Sequence, residues 1–79
     1  MNEEIEVLKD EITQDTPLKI DGGTIPLQLH RVTYTDGSTS YYATVDGVEW
    51  FDVEALHHAA VLYAMMKDHL TEYMHYKAI

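Results

Sequence analysis

Five histidines among 79 residues are the side chains best suited to hold a metal ion or to move a proton at neutral pH. Asp68, Glu72 and His75 share one side of a predicted C-terminal helix, and Glu72 and His75 have the Glu-x-x-His spacing of carboxylate-bridged di-metal bundles. Such a centre needs matching ligands from other helices, so this chain could complete it only in a symmetric oligomer. His57 and His58 lack a histidine four residues away, the simplest helical zinc spacing. We therefore expect solvated polar side chains here and predict neither a metal site nor a cofactor.

Nucleophilic catalysis needs a hydroxyl or thiol beside an oriented base. Ser38 and Ser40 lie in or next to a predicted hairpin turn, and His30 is the one histidine near them in the pattern. Gly22 and Gly23 are followed by Thr-Ile-Pro without a lysine, which excludes a glycine-rich phosphate loop. The chain has no cysteine, so thiol chemistry, thiolate metal sites and disulfides are excluded as well. We predict that the protein is not an enzyme.

The length predicts one domain over residues 1–79, too small for a cleft between domains. The first residues do not form a basic segment followed by an apolar run. The longest mostly apolar stretch, Ala59 to Met66, covers eight residues, whereas about 20 are needed to span a bilayer. We therefore expect a cytoplasmic protein.

The charge is strongly acidic, with fourteen Asp and Glu against five Lys and Arg and a net charge of −9. Seven of the acids lie between Glu3 and Asp21, where only Lys9 and Lys19 oppose them. The other acids are spread through predicted turns, one strand and the long helix. This charge disfavours contact with phosphate backbones and favours either simple solubility or a basic protein partner.

The elements that position these residues fall into three zones. In the first, Ile5, Leu8 and Ile12 recur at helical spacing and Asn2 can cap, which predicts a short N-terminal helix over residues 1–13. The alternative is an edge strand through Ile5 to Leu8. Residues 14–23 then form a connection, with a short extended piece at residues 18–20.

The second zone, residues 24–51, is rich in β-branched and aromatic residues and contains Asp36-Gly37 and Asp46-Gly47, two hairpin signals. We predict a three-stranded antiparallel meander. A two-residue turn at Asp46-Gly47 would pair Val45 with Val48 and Ala43 with Trp50. One face would then carry Tyr41, Ala43, Val45, Val48 and Trp50, and the other Tyr42, Thr44, Glu49 and Phe51. The apolar parity of the first strand changes near His30-Arg31, which predicts a β-bulge there.

The third zone, residues 52–77, predicts a long helix with Asp52 as N-cap and Glu54 in its first turn. Its apolar arc comprises Ala55, Leu56, Ala59, Ala60, Leu62, Tyr63, Met66, Leu70, Tyr73 and Met74. The predicted fold class is α+β, with a short N-terminal helix, a three-stranded antiparallel meander and a long C-terminal helix packed on the sheet.

The predicted order of elements resembles two nucleic-acid-binding families in topology alone. Double-stranded-RNA-binding domains have a lysine cluster at the start of the last helix, where this chain has Asp52 and Glu54. DNA readers of the AP2 and integrase arm-binding type carry several arginines on the sheet, and this sheet has only Arg31. We therefore predict no direct binding of nucleic acid.

The outer side of the predicted helix carries a mixed stripe instead of the usual Lys, Glu and Gln. The stripe comprises His58, Val61, Met65, His69, Glu72 and Tyr76. Methionine, tyrosine and histidine are adaptable residues of the kind found at protein interfaces. Either the N-terminal helix covers the stripe, or it is exposed for a partner or for a homodimer through His58, Val61, Met65 and His69. Tyr42 and Phe51 pose the same question on the predicted outer sheet face.

Small size, acidity, the lack of a catalytic constellation and a helix with apolar residues on two sides resemble the small inhibitor proteins of bacteriophages, among them anti-CRISPR proteins and DNA mimics. This resemblance is one of class and implies a protein-binding inhibitor that blocks a basic surface of a host nucleic-acid-processing complex, in the host cytoplasm. The predicted charged contacts are Glu49, Asp52, Glu54, Asp68 and Glu72, and the predicted apolar anchors are Tyr42, Phe51, Met65 and Tyr76. The alternative function is a homo-oligomeric assembly module that pairs through the outer face of the helix.

Overall fold

The computed structural model describes residues 4–78 and has an antiparallel sheet with one helix packed on it. The strands are β1 (Val7–Ile20), β2 (Gly23–Tyr34), β3 (Thr39–Val45), β4 (Val48–Val53) and β5 (Lys77–Ala78), and the helix is α1 (Leu56–Glu72). The strand order is β4-β3-β2-β1-β5. The α+β class, the antiparallel sheet and the C-terminal helix are thus confirmed, whereas the number of strands was predicted too low.

The predicted N-terminal helix is wrong, because the segment that includes Leu8 and Ile12 forms β1 and pairs with β2 along its length. Asn2 and Glu3 lie outside the described residues. The register shifts between Val7 and Lys9 and again between Ile12 and Gln14. These irregularities disturb the period-2 pattern of a strand, so the apolar spacing imitates a helix. The predicted connection over residues 14–23 is instead the rest of β1 and its turn into β2.

The two hairpin signals of the middle zone are confirmed. Asp46 and Gly47 have φ values of 51° and 82°, and positive values at both central residues define the type I′ turn that suits a two-residue hairpin. Val45 pairs with Val48 as predicted. In the other hairpin, the Asp36 carboxylate accepts a hydrogen bond of 2.9 Å from the Ser38 amide, which is the side-chain mimic of a turn.

The bulge predicted near His30-Arg31 of β2 lies in the neighbouring strand. The register between β2 and β3 runs without interruption from Leu27 to Thr33. The extra residue is Thr13 of β1, because Ile12 pairs with His30 and Gln14 pairs with Leu29. The apolar residues of β2 change sides because both faces of this strand are partly buried. Leu27 and Leu29 face the helix, and Val32 is buried on the other side.

A second bulge, not predicted, reverses the faces of β4. Ala43 pairs with Phe51 instead of Trp50, and Trp50 is the extra residue between this pair and the Thr44–Glu49 pair. Phe51 therefore packs against the core on the helix side of the sheet. The predicted position of Phe51 on the outer face is wrong, because a one-residue insertion moves every following side chain to the other face.

The helix is shorter than predicted at both ends. Asp52 and Val53 pair with Tyr42 and Tyr41 in β4, so Asp52 is not the N-cap. Ala55 holds that position without a side-chain cap. At the other end the backbone of His75 is left-handed, with φ 59°, and residue 77 continues as strand β5 instead of helix.

The core lies between one face of α1 and the sheet. The helix contributes Ala59, Tyr63, Met66 and Leu70, and the sheet contributes Leu18, Leu27, Leu29, Tyr41, Ala43 and Val45. This helical face is narrower than the predicted arc, whose members Leu56 and Tyr73 are 60% and 71% exposed. The Tyr63 hydroxyl donates to the Leu27 carbonyl at 2.9 Å and lies 2.7 Å from the Thr16 hydroxyl.

Candidate partner-binding surface

The free edge of the sheet at β4 is acidic because of how charge is distributed along the chain. From Val32 to Met66 the sequence contains no Lys or Arg but five acids. This stretch forms β3, β4 and the first part of α1. Three of its carboxylates, those of Glu49, Asp52 and Glu54, are exposed on β4 or just after it. The three predicted charged contacts of this region therefore lie together on one edge.

The bulge in β4 places two consecutive aromatic side chains on the helix side of the sheet. Phe51 packs against the core, while Trp50 remains 49% exposed beside the helix. The Trp50 ring centroid lies 6.4 Å from that of His69, which lies 5.2 Å from that of Tyr73. Trp50, His69 and Tyr73 thus form an exposed aromatic cluster between α1 and the β4 edge. The sequence pattern did not predict Trp50 as an anchor, because without the bulge Trp50 would pair with Ala43 and face the core.

The remaining predicted helix contacts lie next to this cluster. Met65 precedes His69 by one helical turn and is 60% exposed. Asp68 and Glu72 are exposed and also one turn apart. Together the residues Glu49, Trp50, Asp52, Glu54, Met65, Asp68, His69, Glu72 and Tyr73 are named here the β4–α1 surface.

One end of the β4–α1 surface opens into an acidic groove of about 600 Å³. Asp52 and Glu54 line it together with Asp36. The groove is also lined by hydroxyl-bearing residues, namely Tyr34, Ser38, Thr39 and Ser40, and by the apolar residues Ile5 and Val53. Hydrogen bonds from the Ser38 hydroxyl and amide lower the pKa of Asp36, so its carboxylate stays charged at neutral pH. The groove offers negative charge and acceptors to a cationic side chain.

Two predicted anchors are not available for a partner in the expected way. Phe51 and Tyr76 are half-buried and pack against the core. Tyr42 does lie on the outer sheet face, as predicted, but its hydroxyl donates to Asp10 Oδ2 at 2.6 Å. This hydrogen bond, with burial and the charge of Asp10, raises the pKa of Tyr42 to about 12. Tyr42 is therefore held within the sheet instead of standing free.

Around Tyr42 the outer face carries a polar network that the sequence pattern did not reveal. The rings of His30 and Tyr42 stack with centroids 4.3 Å apart and an angle of 6° between their planes. His30 Nδ1 lies 3.7 Å from Asp10 Oδ1, and its Nε2 lies 3.0 Å from Thr44 Oγ1. These residues come from three strands, so only the register of the sheet brings them together.

Two of the cations on the sheet, Lys9 and Arg31, are engaged away from the β4–α1 surface. The Lys9 ammonium lies 3.3 Å from Glu11, and Arg31 forms an ion pair with the same carboxylate. Hydrogen bonding to Arg31 and then to Lys9 lowers the pKa of Glu11. Lys9 and Arg31 thus share the Glu11 carboxylate, and neither forms an ion pair with an acid of β4.

Neither a metal-binding group of side chains nor a membrane-spanning helix is found among residues 4–78. No group of three or more His, Asp and Glu side chains in this range is arranged to hold a metal ion. The helix that the structure describes is not long and apolar enough to cross a bilayer. Comparisons with protein-family models, with curated proteins and with solved structures find no match for this chain.

Proposed function

We propose that this protein is a small inhibitor that binds a basic protein surface through its β4–α1 surface and blocks a host nucleic-acid-processing complex, in the manner of an anti-CRISPR protein or DNA mimic. The observation that carries this proposal is the cation-free stretch from Val32 to Met66, whose acids are exposed along the β4 edge and in nearby turns. Glu49 and Asp52 lie on the outer face of this edge, and the half-exposed Trp50 lies on its helix side. A protein groove built to hold phosphates is electropositive and therefore complementary to such a surface.

The surface has the composition of an interface in which a few aromatic anchors supply most of the binding energy. Tryptophan and tyrosine dominate interface hot spots, and a polar rim around them excludes water. Trp50 and Tyr73 are such anchors, and Glu49 and Glu72 belong to the rim. Trp50 also offers a ring face to an arginine or lysine of the partner, since tryptophan is the strongest cation–π acceptor.

Because Trp50 is the only tryptophan, its fluorescence reports on this surface alone. The experiment captures partners from a bacterial lysate, purifies each one and titrates it with this protein in the presence of labelled DNA or RNA. We expect displacement of the nucleic acid together with a blue shift of Trp50 emission, because the indole leaves water. The Trp50 emission is unambiguous when the partner has no tryptophan at the contact, or when one of the two proteins is labelled selectively. Displacement without a change in Trp50 emission would contradict the location of the site, and binding without displacement would contradict inhibition.

The alternative is a homo-oligomeric assembly module that pairs through His58, Val61, Met65 and His69. It is favoured by the 56% and 60% exposure of Val61 and Met65, since no N-terminal helix in the described residues covers them.

For this alternative, Met65→Glu should convert a dimer into a monomer, because it places two buried carboxylates in an apolar contact. Light scattering measures the mass, and Ala64→Glu on the same helix is the matched control. A wild-type protein that is monomeric at about 100 μM would contradict the assembly module and leave the inhibitor proposal intact.

A further inference from the structure

Two lysines face each other across the short pairing of β1 with β5, at the end of the sheet order opposite β4. Lys19 and Lys77 are register partners on antiparallel strands. Their Cβ atoms therefore lie about 5 Å apart on one face of the sheet. Like charges in this position destabilise a strand pair. A direct pairing of two lysines is unexpected in a chain with fourteen acidic residues and only five Lys and Arg.

Both lysines line an open groove of about 610 Å³. The other lining residues are Ile20, Asp21, Met74, His75 and Tyr76. Among residues 4–78, neither Lys19 nor Lys77 forms an ion pair, in contrast to Lys9 and Arg31. The lining residues thus include two lysines without an ion pair within residues 4–78, one histidine and one aspartate.

The chain between α1 and β5 bends at His75, which lines the same groove as the two lysines. His75 has a left-handed backbone, with φ 59°, a conformation that costs energy for a residue other than glycine. The Tyr76 amide donates to the Leu70 carbonyl at 3.0 Å and holds this bend against the helix end. The strained residue and the opposed lysines therefore belong to the same feature.

We propose that this groove, the Lys19–Lys77 groove, binds a phosphate group, either free or at the end of an organic monoester. A dianion between the two ammonium groups replaces their repulsion with two charge-assisted hydrogen bonds. His75 supplies a further donor, and Ile20 and Met74 contact the organic part of a monoester. The site is separate from the β4–α1 surface and does not depend on the proposed function.

The test compares melting temperatures in inorganic phosphate with those in sodium chloride of the same ionic strength. The variant is Lys77→Glu, and Lys67→Glu on α1 is the control with the same change of charge. Without phosphate, Lys77→Glu should melt above wild type, because a glutamate opposite Lys19 replaces repulsion with attraction. Phosphate should raise the melting temperature of wild type and of Lys67→Glu, since a ligand that binds only the folded state stabilises it. It should leave that of Lys77→Glu unchanged.

Calorimetric titration gives the affinities, and Lys77→Glu should weaken phosphate binding at least tenfold while Lys67→Glu changes it less than threefold. Phenyl phosphate binding more tightly than inorganic phosphate would assign the groove to an organic monoester, and equal affinity would assign it to the free ion. Trp50 emission should not respond to either ligand. A wild-type protein that phosphate does not stabilise beyond chloride, or a Lys77→Glu variant that responds like wild type, would overturn the proposal.

Discussion

Tyr42 shows how single residues link the outer sheet face to the rest of the fold. Its hydroxyl donates to Asp10 on β1, and its ring stacks on His30 of β2, so one side chain joins three strands. Asp52 of β4 pairs with Tyr42 through the backbone register. The β4 edge therefore pairs with a residue, Tyr42, whose hydroxyl is hydrogen-bonded to the Asp10 carboxylate.

At high pH this network should weaken in a defined window. The pKa of Tyr42 is about 12 in the folded protein, against an ordinary value of 10.0. The stabilisation is therefore complete below about pH 10 and is lost as the pH rises through 12, because the folded state retains the proton that the unfolded chain releases. Between these values the free energy of unfolding should decrease more steeply for wild type than for Tyr42→Phe, as measured by urea denaturation. Equal slopes for the two proteins would show that the Asp10 hydrogen bond does not hold the tyrosine.

The absorbance of the tyrosine phenolate, followed as the pH rises, tests whether Asp10 raises the pKa of Tyr42. In Asp10→Asn the hydroxyl loses its charged acceptor, so the ionisation of Tyr42 should shift from about 12 towards 10. Asp21→Asn, which removes the same charge in the turn after β1, is the control and should leave the titration unaltered.

At the scale of elements, α1 is attached to the sheet by a narrow row of buried side chains. Leu70 is 1% exposed, Tyr63 is 5% exposed and its hydroxyl bonds to β2. The neighbouring faces of the helix are open. Burial raises the pKa of the Tyr63 hydroxyl, which therefore remains a hydrogen-bond donor throughout the neutral range.

Shortening a side chain in this buried row should lower the free energy of unfolding much more than shortening one on the exposed side of α1. Leu70→Ala should lower the free energy of unfolding by about 2–5 kcal/mol, the usual cost of a leucine cavity in a packed core. Val61→Ala, on the exposed flank of the same helix, should change it by no more than about 0.5 kcal/mol. Urea denaturation measures both values. Similar losses for the two variants would contradict the orientation of α1.

Sequence patterns predicted the elements whose signals are local. The Asp46-Gly47 turn needs only two residues that tolerate positive φ, and the middle of α1 needs only a helical apolar period. The N-terminal end of β1 pairs with residues far along the chain, Val7 with Tyr34. The bulges of β1 also disturb the period-2 pattern, so the spacing of Ile5, Leu8 and Ile12 resembles that of a helix. The Trp50 bulge has no local signal either. The acids of the candidate site were predictable from charge, whereas its aromatic anchors depended on this bulge.

The whole molecule is elongated, with extents of 53 × 23 × 15 Å, and its charge is unevenly distributed across the sheet. The β4 side contains five acids and no Lys or Arg from Val32 to Met66, whereas on β1 and β5 the acids Asp10, Glu11 and Asp15 are accompanied by Lys9, Lys19 and Lys77. With neighbouring strands about 4.8 Å apart, β1 lies about 14 Å from β4. This separation exceeds the Debye length of about 8 Å at physiological salt, so a partner on β4 experiences a local acidic surface.

Charge reversal with a matched control tests the central claim most directly. Glu54→Lys/Glu72→Lys places two cations on the β4–α1 surface, and Asp15→Lys/Asp21→Lys makes the same net change near the opposite edge. All four side chains are exposed, so both proteins should fold. Titration of a captured nucleic-acid-binding partner should show affinity reduced at least tenfold for the first double variant and less than threefold for the second. Equal losses for both variants, or unchanged affinity for the first, would contradict binding through the β4–α1 surface.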